Sequence, residues 1–170
     1  MKVIGIDPGI SNTGFGIVER RDGRLLALDG GVCTTSPDTP IERRVASIAD
    51  HVDALIAEHE PDALAIESIY FGKNVQTAFA VGQARGAVLA VAGRRTLDTF
   101  SYTPQQIKQA VCGSGRADKQ QVQRMVVALL DLRGDLPADH AADALAVGIC
   151  HVNAVPMLTA QLSAQGRAMT

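Results

Sequence analysis

The chain has 170 residues, 46% of them hydrophobic and 20% charged, with a formal net charge of −2. That length suits one compact domain, and so large a hydrophobic share excludes a disordered polymer. No apolar run approaches the roughly 20 residues that span a bilayer, and the opening MKVIGIDPG meets an aspartate too early for a signal peptide, so a soluble, cytoplasmic protein is expected.

In chain order, residues 2–7 (KVIGID) read as a buried strand that ends in an acid. Gly9 to Asn12 form a turn, and residues 13–20 alternate as a second strand. Asp22-Gly23 is a hairpin turn signal, and residues 24–34 give a third strand. From Pro40 to Glu60 the period changes: Ile41, Val45, Ile48, Val52, Leu55 and Ile56 recur at helical spacing behind a Thr39-Pro40 cap and first turn. Residues 63–67 (ALAIE) form a buried strand ending in a glutamate. Residues 74–92 form a helix rich in small residues, where Gly82 and Gly86 would admit a close backbone, either within the protomer or across a dimer seam. Residues 95–99 read as the last strand. Thr103-Pro104 opens a helix to about Val111, Gly113–Arg116 form a loop, Asp118 to Leu132 form a helix, and Asp139 to about Asn153 form the last. The tail beyond Pro156 is expected to be disordered. Three strands followed by alternating helices and strands predict an α/β domain over residues 1–155, its sheet mixed and flanked by helices.

Charge is unevenly spread. Between Arg94 and Arg124 six basic residues stand against two acids, whereas the rest of the chain carries 10 basic and 16 acidic residues. A basic segment beside an acidic remainder fits phosphate contacts in one place and metal-binding carboxylates in another. Cys33, Cys112 and Cys150 show no metal-ligand spacing and read as reduced core or near-core residues.

Three acids are unusually placed. Asp7 and Glu67 end buried strands, and Asp143 lies one turn into the last helix on its apolar side. Taken singly, Asp7 could anchor Pro8-Gly9, Glu67 could pair with Lys73, and Asp143 could be a helix-face acid. Converging at one sheet end, they would repel unless a cation neutralised them or their pKa values rose. Magnesium takes a few carboxylates, and two such ions can clamp the attacking and leaving oxygens of a phosphodiester displacement. His140, three residues before Asp143, shares its helix face and can join the cluster or remain in the solvated first turn. Asp139 serves either as the helix N-cap or as a further ligand.

The stretches IGIDPGISNTGFGIV, IESIYFGKN, VGQARGAV and PADHAADALAVGICH, in this order and spacing, closely resemble the RuvC family of Holliday-junction resolvases. The resemblance spans Lys2 to about His151. It implies a ribonuclease-H-like fold with a mixed five-stranded sheet, three strands antiparallel and then parallel ones. It also implies a homodimer acting on four-way DNA junctions by paired symmetric nicks in recombination and repair, through two-metal-ion hydrolysis. By motif, Asp7, Glu67 and Asp143 match the family's catalytic, metal-binding acids. The remaining position, often aspartate, holds His140 here, with an aspartate displaced to 139. Imidazole suits manganese better than magnesium, so the cofactor is expected to be Mg²⁺ or Mn²⁺ with Mn²⁺ preferred. Lys108 and Lys119 match basic positions near the family's active site and would act on the scissile phosphate. Tyr70, Phe71, Lys73, Asn74, Arg85 and Arg116 complete the expected DNA surface, the aromatics stacking on unpaired bases. A branch-migration motor is implied as a partner by resemblance alone.

Three other readings meet the same residues. DPGISNTG resembles the phosphate loop of sugar-kinase and actin-like ATPases, which need two related domains. A ribosomal-RNA-processing nuclease would share the acids but not the segments around Tyr70, Gln83 and Lys119. A junction-binding protein weakened in catalysis by His140 would bind without cutting.

Overall fold

The structure, a computed structural model, describes residues 1–68, 75–133 and 138–167, with the backbone alone over 75–77 and 156–167. Five strands, β1 (Lys2–Asp7), β2 (Asn12–Arg21), β3 (Arg24–Thr34), β4 (Ala63–Glu67) and β5 (Thr99–Tyr102), form one sheet in the order β3-β2-β1-β4-β5. The first three pair antiparallel, β4 runs parallel to β1, and β5 runs parallel to β4. The β2–β3 hairpin closes on Asp22 and Gly23, both with positive φ (51° and 78°), as a tight two-residue turn requires. The expected mixed five-stranded, ribonuclease-H-like sheet is therefore present.

Among the described residues five helices cover the sheet: α1 (Ile41–His59), α2 (Val75–Arg94), α3 (Pro104–Cys112), α4 (Lys119–Leu129) and α5 (Asp139–Arg167). Strand periodicity divides the core between the two faces. Ile4 and Ile6 of β1 and Leu64 and Ile66 of β4 pack with Ile48, Val52 and Leu55 of α1 and with Val88 and Val91 of α2. Val3 and Ala65, on the opposite face, pack with Ile107 of α3, Val122 and Val126 of α4, and Leu145 and Ile149 of α5. Each such fully buried aliphatic side chain contributes roughly 1.5–3 kcal/mol. Of the cysteines, Cys33 and Cys150 are buried and Cys112 is partly so, and all three are free thiols.

What seats α5 is the absence of side chains beneath it. A Cβ at Gly5 would run into the Ala144 carbonyl and the Gly148 backbone, and one at Gly14 into the His140 carbonyl. Glycine inside a strand commonly marks such a close backbone approach. The helix thus lies directly on β1 and β2, with its first turns over the end of β1.

Several element boundaries differ from the sequence reading. The last strand is Thr99–Tyr102, not 95–99, because α2 continues to Arg94 and a turn follows it. Arg95 N–H and Leu97 N–H take the Val91 and Ala92 carbonyls, and Thr96 adopts φ 50°. The N-cap of α1 is Pro40, without a side-chain bond from Thr39. α4 ends at Leu129 rather than Leu132. α5 passes Asn153 and Pro156 and stays helical to Arg167, where irregular chain was expected. Met157, Leu158, Ala160, Gln161, Leu162 and Ala164 are all good helix formers, which explains the continuation.

Candidate active site

Period-two alternation aims the acids. Asp7 lies on the Val3 face of β1, and Glu67 lies on the Ala65 face of β4, the face that α5 covers. The β1–β4 register pairs Ile6 with Ile66, so the two acids follow side by side on parallel strands. A slip of one residue in either strand would turn its carboxylate to the α1–α2 side. From above, α5 lowers His140 and Asp143 onto the same edge.

The groups meet there. His140 Nδ1 lies 2.8 Å from Asp7 Oδ2. Donor atoms of Asp7, His140 and Asp143 all lie within 4.8 Å of one another. Glu67 adjoins Asp7 closely enough for a side-chain hydrogen bond. Burial first, then the Asp7 charge and the Asp143 charge, raise the Glu67 pKa to about 7, with Lys108 opposing. Burial also raises the Asp143 pKa; the Lys119 ammonium opposes this and the Asp7 charge adds to it. Carboxylates held above their ordinary range by burial and by mutual repulsion favour a cation. Two carboxylates and an imidazole within chelating reach, with a third carboxylate beside them, fit a divalent metal ion.

The basic residues border the same edge. A cleft of about 240 Å³ is lined by Glu67 and Asp143 together with Pro104, Ile107 and Lys108 of α3 and Lys119 and Val122 of α4. α3 is fixed by a capping box in which Thr103 and Gln106 satisfy each other's backbone donors. α4 begins at Asp118, whose carboxylate accepts from Gln121 N–H at 2.8 Å. Its first residue, Lys119, reaches Asp139 at 3.1 Å and Asp143 at 3.5 Å.

Asp139 does not serve as the N-cap. The first turn of α5 begins with the Ala138 carbonyl accepting from Ala142 N–H. The Asp139 carboxylate instead turns to α4, accepting from Gln123 Nε2 at 2.8 Å and pairing with Lys119. The sequence reading missed Gln123 as a partner, although its i,i+4 spacing from Lys119 puts both on one helix face. It also missed Ser101 and the glycines under α5.

Arg116 is exposed in the loop between α3 and α4. Arg85 lies behind Glu67, its guanidinium directed to a backbone carbonyl and a serine hydroxyl of the sheet. Among the described residues a Cβ at Gly86 would meet nothing within 4 Å. Tyr70, Phe71, Lys73 and Asn74 lie outside the described residues, as does the Glu67–Lys73 pairing.

A mixed sheet carrying acids at the ends of two adjacent parallel strands, completed by an acid from a helix laid across it, is the architecture of a ribonuclease-H-like nuclease. The chain belongs to the RuvC family: the family model described as crossover junction endodeoxyribonuclease RuvC matches residues 3–151. It is 44% identical over 158 residues to the crossover junction endodeoxyribonuclease RuvC of Desulfitobacterium hafniense, covering 93% of this chain and 96% of that one. To the protein of the same name from Trichlorobacter lovleyi it is 48% identical over 153 residues, 90% and 85% of the two chains. The structure of Thermus thermophilus RuvC in complex with a Holliday junction substrate matches with a TM-score of 0.89 and 38% identity, covering 94% of this chain and 97% of that one. Among the described residues no helix is long and apolar enough to cross a membrane.

Proposed function

We propose that this protein is a structure-selective endodeoxyribonuclease that resolves four-way DNA junctions by paired symmetric nicks, in homologous recombination and repair. The observation that carries the reading is the meeting of Asp7, His140 and Asp143 within 4.8 Å, beside a Glu67 whose pKa is near 7, in a chain of this family. These four residues would hold one or two divalent ions, Mg²⁺ or Mn²⁺. A bound ion supplies a lowered water pKa and offsets charge on the phosphate.

The remaining work falls to the chain. Asp7, braced by His140 Nδ1, and Asp143, flanked by Lys119, are set by packed elements and so keep their aim as the phosphate arrives. Lys108 and Lys119 line the cleft and hold the scissile phosphate, opposing its developing charge. Attack in line with the 3′ oxygen leaves a 5′-phosphate end. Arg116, with Tyr70, Phe71, Lys73 and Asn74, supplies phosphate contacts and base stacking. The catalytic unit is residues 1–155. It works in the cytoplasm as a homodimer whose two-fold symmetry matches that of the junction, with a branch-migration motor as partner. The open face at Gly86 and the exposed Phe79 (69%) of α2 leave surface for a second copy.

The test uses labelled four-way junction, matched duplex and single-stranded RNA with Mg²⁺ or Mn²⁺. Paired nicks on the junction alone are expected, faster in Mn²⁺, and abolished by Asp7→Asn or Asp143→Asn without loss of binding. Equal nicking of duplex, or nicking that survives those amides, would refute the reading. Equal or lower turnover in Mn²⁺ across a full titration would remove His140 from the ligand set.

A further inference from the structure

Arg85 was expected at the DNA, yet its geometry points inward. It stands on α2, on the far side of the sheet from α5, and is only partly exposed. Nη1 donates to the Glu67 carbonyl at 2.8 Å, and Nη2 donates to Ser101 Oγ at 2.7 Å. Ser101 belongs to β5 and sits opposite Ile66 in the β4–β5 ladder. One guanidinium therefore joins α2, the end of β4 and the neighbouring edge strand.

The place it grips lies beyond the β1–β4 ladder. Pairing between β1 and β4 is recorded up to Ile6–Ile66, so Glu67 lies one residue past its last partner on β1. On the other side Glu67 pairs with Tyr102 of β5, and Ser68 N–H donates to the Tyr102 carbonyl at 2.8 Å. A carboxylate at a strand end moves with the peptide that carries it. Restraining that peptide restrains the carboxylate.

We infer that Arg85 is a positioning residue for the metal centre, fixing the backbone of Glu67 through its carbonyl and through Ser101 rather than contacting DNA. The inference rests on the nuclease reading above. Two features support it. The planar guanidinium presents two donors at a fixed spacing, which matches two acceptors on adjacent strands and which a lysine ammonium cannot reproduce. Arg85 is half-buried, and both of its terminal nitrogens already hold partners inside the protein.

The roles separate experimentally. Purified full-length wild type, Arg85→Ala, Arg85→Lys and Ser101→Ala are titrated with Mn²⁺ in the absence of DNA by calorimetry, then assayed for junction binding over a salt series and for single-turnover cleavage. Losing a residue that orients a ligand costs roughly 10–100-fold in metal affinity or activity. Arg85→Ala should weaken Mn²⁺ binding by about tenfold or more and slow cleavage in step, with Arg85→Lys and Ser101→Ala intermediate. Junction affinity and its salt slope should not change. A salt slope reduced by about one, with Mn²⁺ affinity intact, would make Arg85 a phosphate contact and overturn the inference. So would unchanged Mn²⁺ affinity in all three variants. If Arg85→Ala fails to fold, Arg85→Lys and Ser101→Ala decide on the same readouts. A wild type that neither binds Mn²⁺ nor nicks the junction would instead overturn the nuclease reading and this inference with it.

Discussion

Folding stability of the metal-free protein should fall as pH rises, and Glu67 should be the cause. Its carboxyl is raised from 4.5 to about 7 by burial and by the neighbouring charges of Asp7 and Asp143. The protonated form is thus favoured in the folded state. The stability this contributes is fully present below pH 4.5, is lost progressively above it, and is gone once pH passes about 7. At about 1.4 kcal/mol per unit, that rise corresponds to roughly 3 kcal/mol, a sizeable part of the 5–15 kcal/mol that holds a typical domain folded. Glu67→Gln removes the titrating group while keeping the shape. Urea denaturation in chelator, followed by circular dichroism from pH 4.5 to 8, measures the effect. The variant should gain on the wild type as pH rises, by about 3 kcal/mol in all. Added Mn²⁺ should restore the wild type at pH 8 and act less on the variant, because a bound cation takes the place of the proton. Parallel stability curves for the two proteins across this range would show that Glu67 is not strained by its neighbours, and the electrostatic case for a cation there would be lost.

Three further outcomes are expected. Gly5→Ala drives a methyl into the Ala144 carbonyl and Gly148 backbone and should cost about 1–3 kcal/mol in urea denaturation. Gly93→Ala, with nothing within 4 Å among the described residues, should be neutral or gain up to about 1 kcal/mol; equal effects at the two sites would deny the backbone contact of α5. Tyr102→Phe removes the 2.7 Å bond to Nδ1 of the fully buried His151. Nε2 of that ring has no partner among the described residues, so thermal unfolding should reveal a loss of about 1–3 kcal/mol. Asp139→Ala should leave calorimetric Mn²⁺ affinity nearly unchanged, because that carboxylate is turned to Lys119 and Gln123; a large drop would return Asp139 to the ligand set.

Much of this was legible along the chain. KVIGID and ALAIE are apolar runs ending in acids, and a two-residue period suffices to predict that each acid closes a buried strand. The Asp22-Gly23 turn, the α1 stripe and the Thr103-Pro104 start of α3 follow from equally local chemistry. Some assignments failed on a local turn and others on a partner far along the chain. The β5 strand moved because α2 ran on to Arg94 and folded its last carbonyls onto Arg95 and Leu97. Asp139 looked like an N-cap from its position, but α4 brought Lys119 and Gln123 against it.

The sequence by itself determined which residues carry charge at the ends of which elements, because periodicity and turn chemistry act over a few neighbours. It also determined that α5 could lie close on the sheet, since Gly5, Gly14 and Gly148 carry no side chain wherever the chain goes. Only the tertiary structure decided that Asp7, Glu67, His140 and Asp143 face one another, and that Arg85 turns to the Glu67 backbone rather than outward. Those outcomes depend on strand order, on the β1–β4 register and on how α5 crosses the sheet. Each is settled by packing between segments that local periodicity does not connect, where one residue of slip reverses the face that a carboxylate meets.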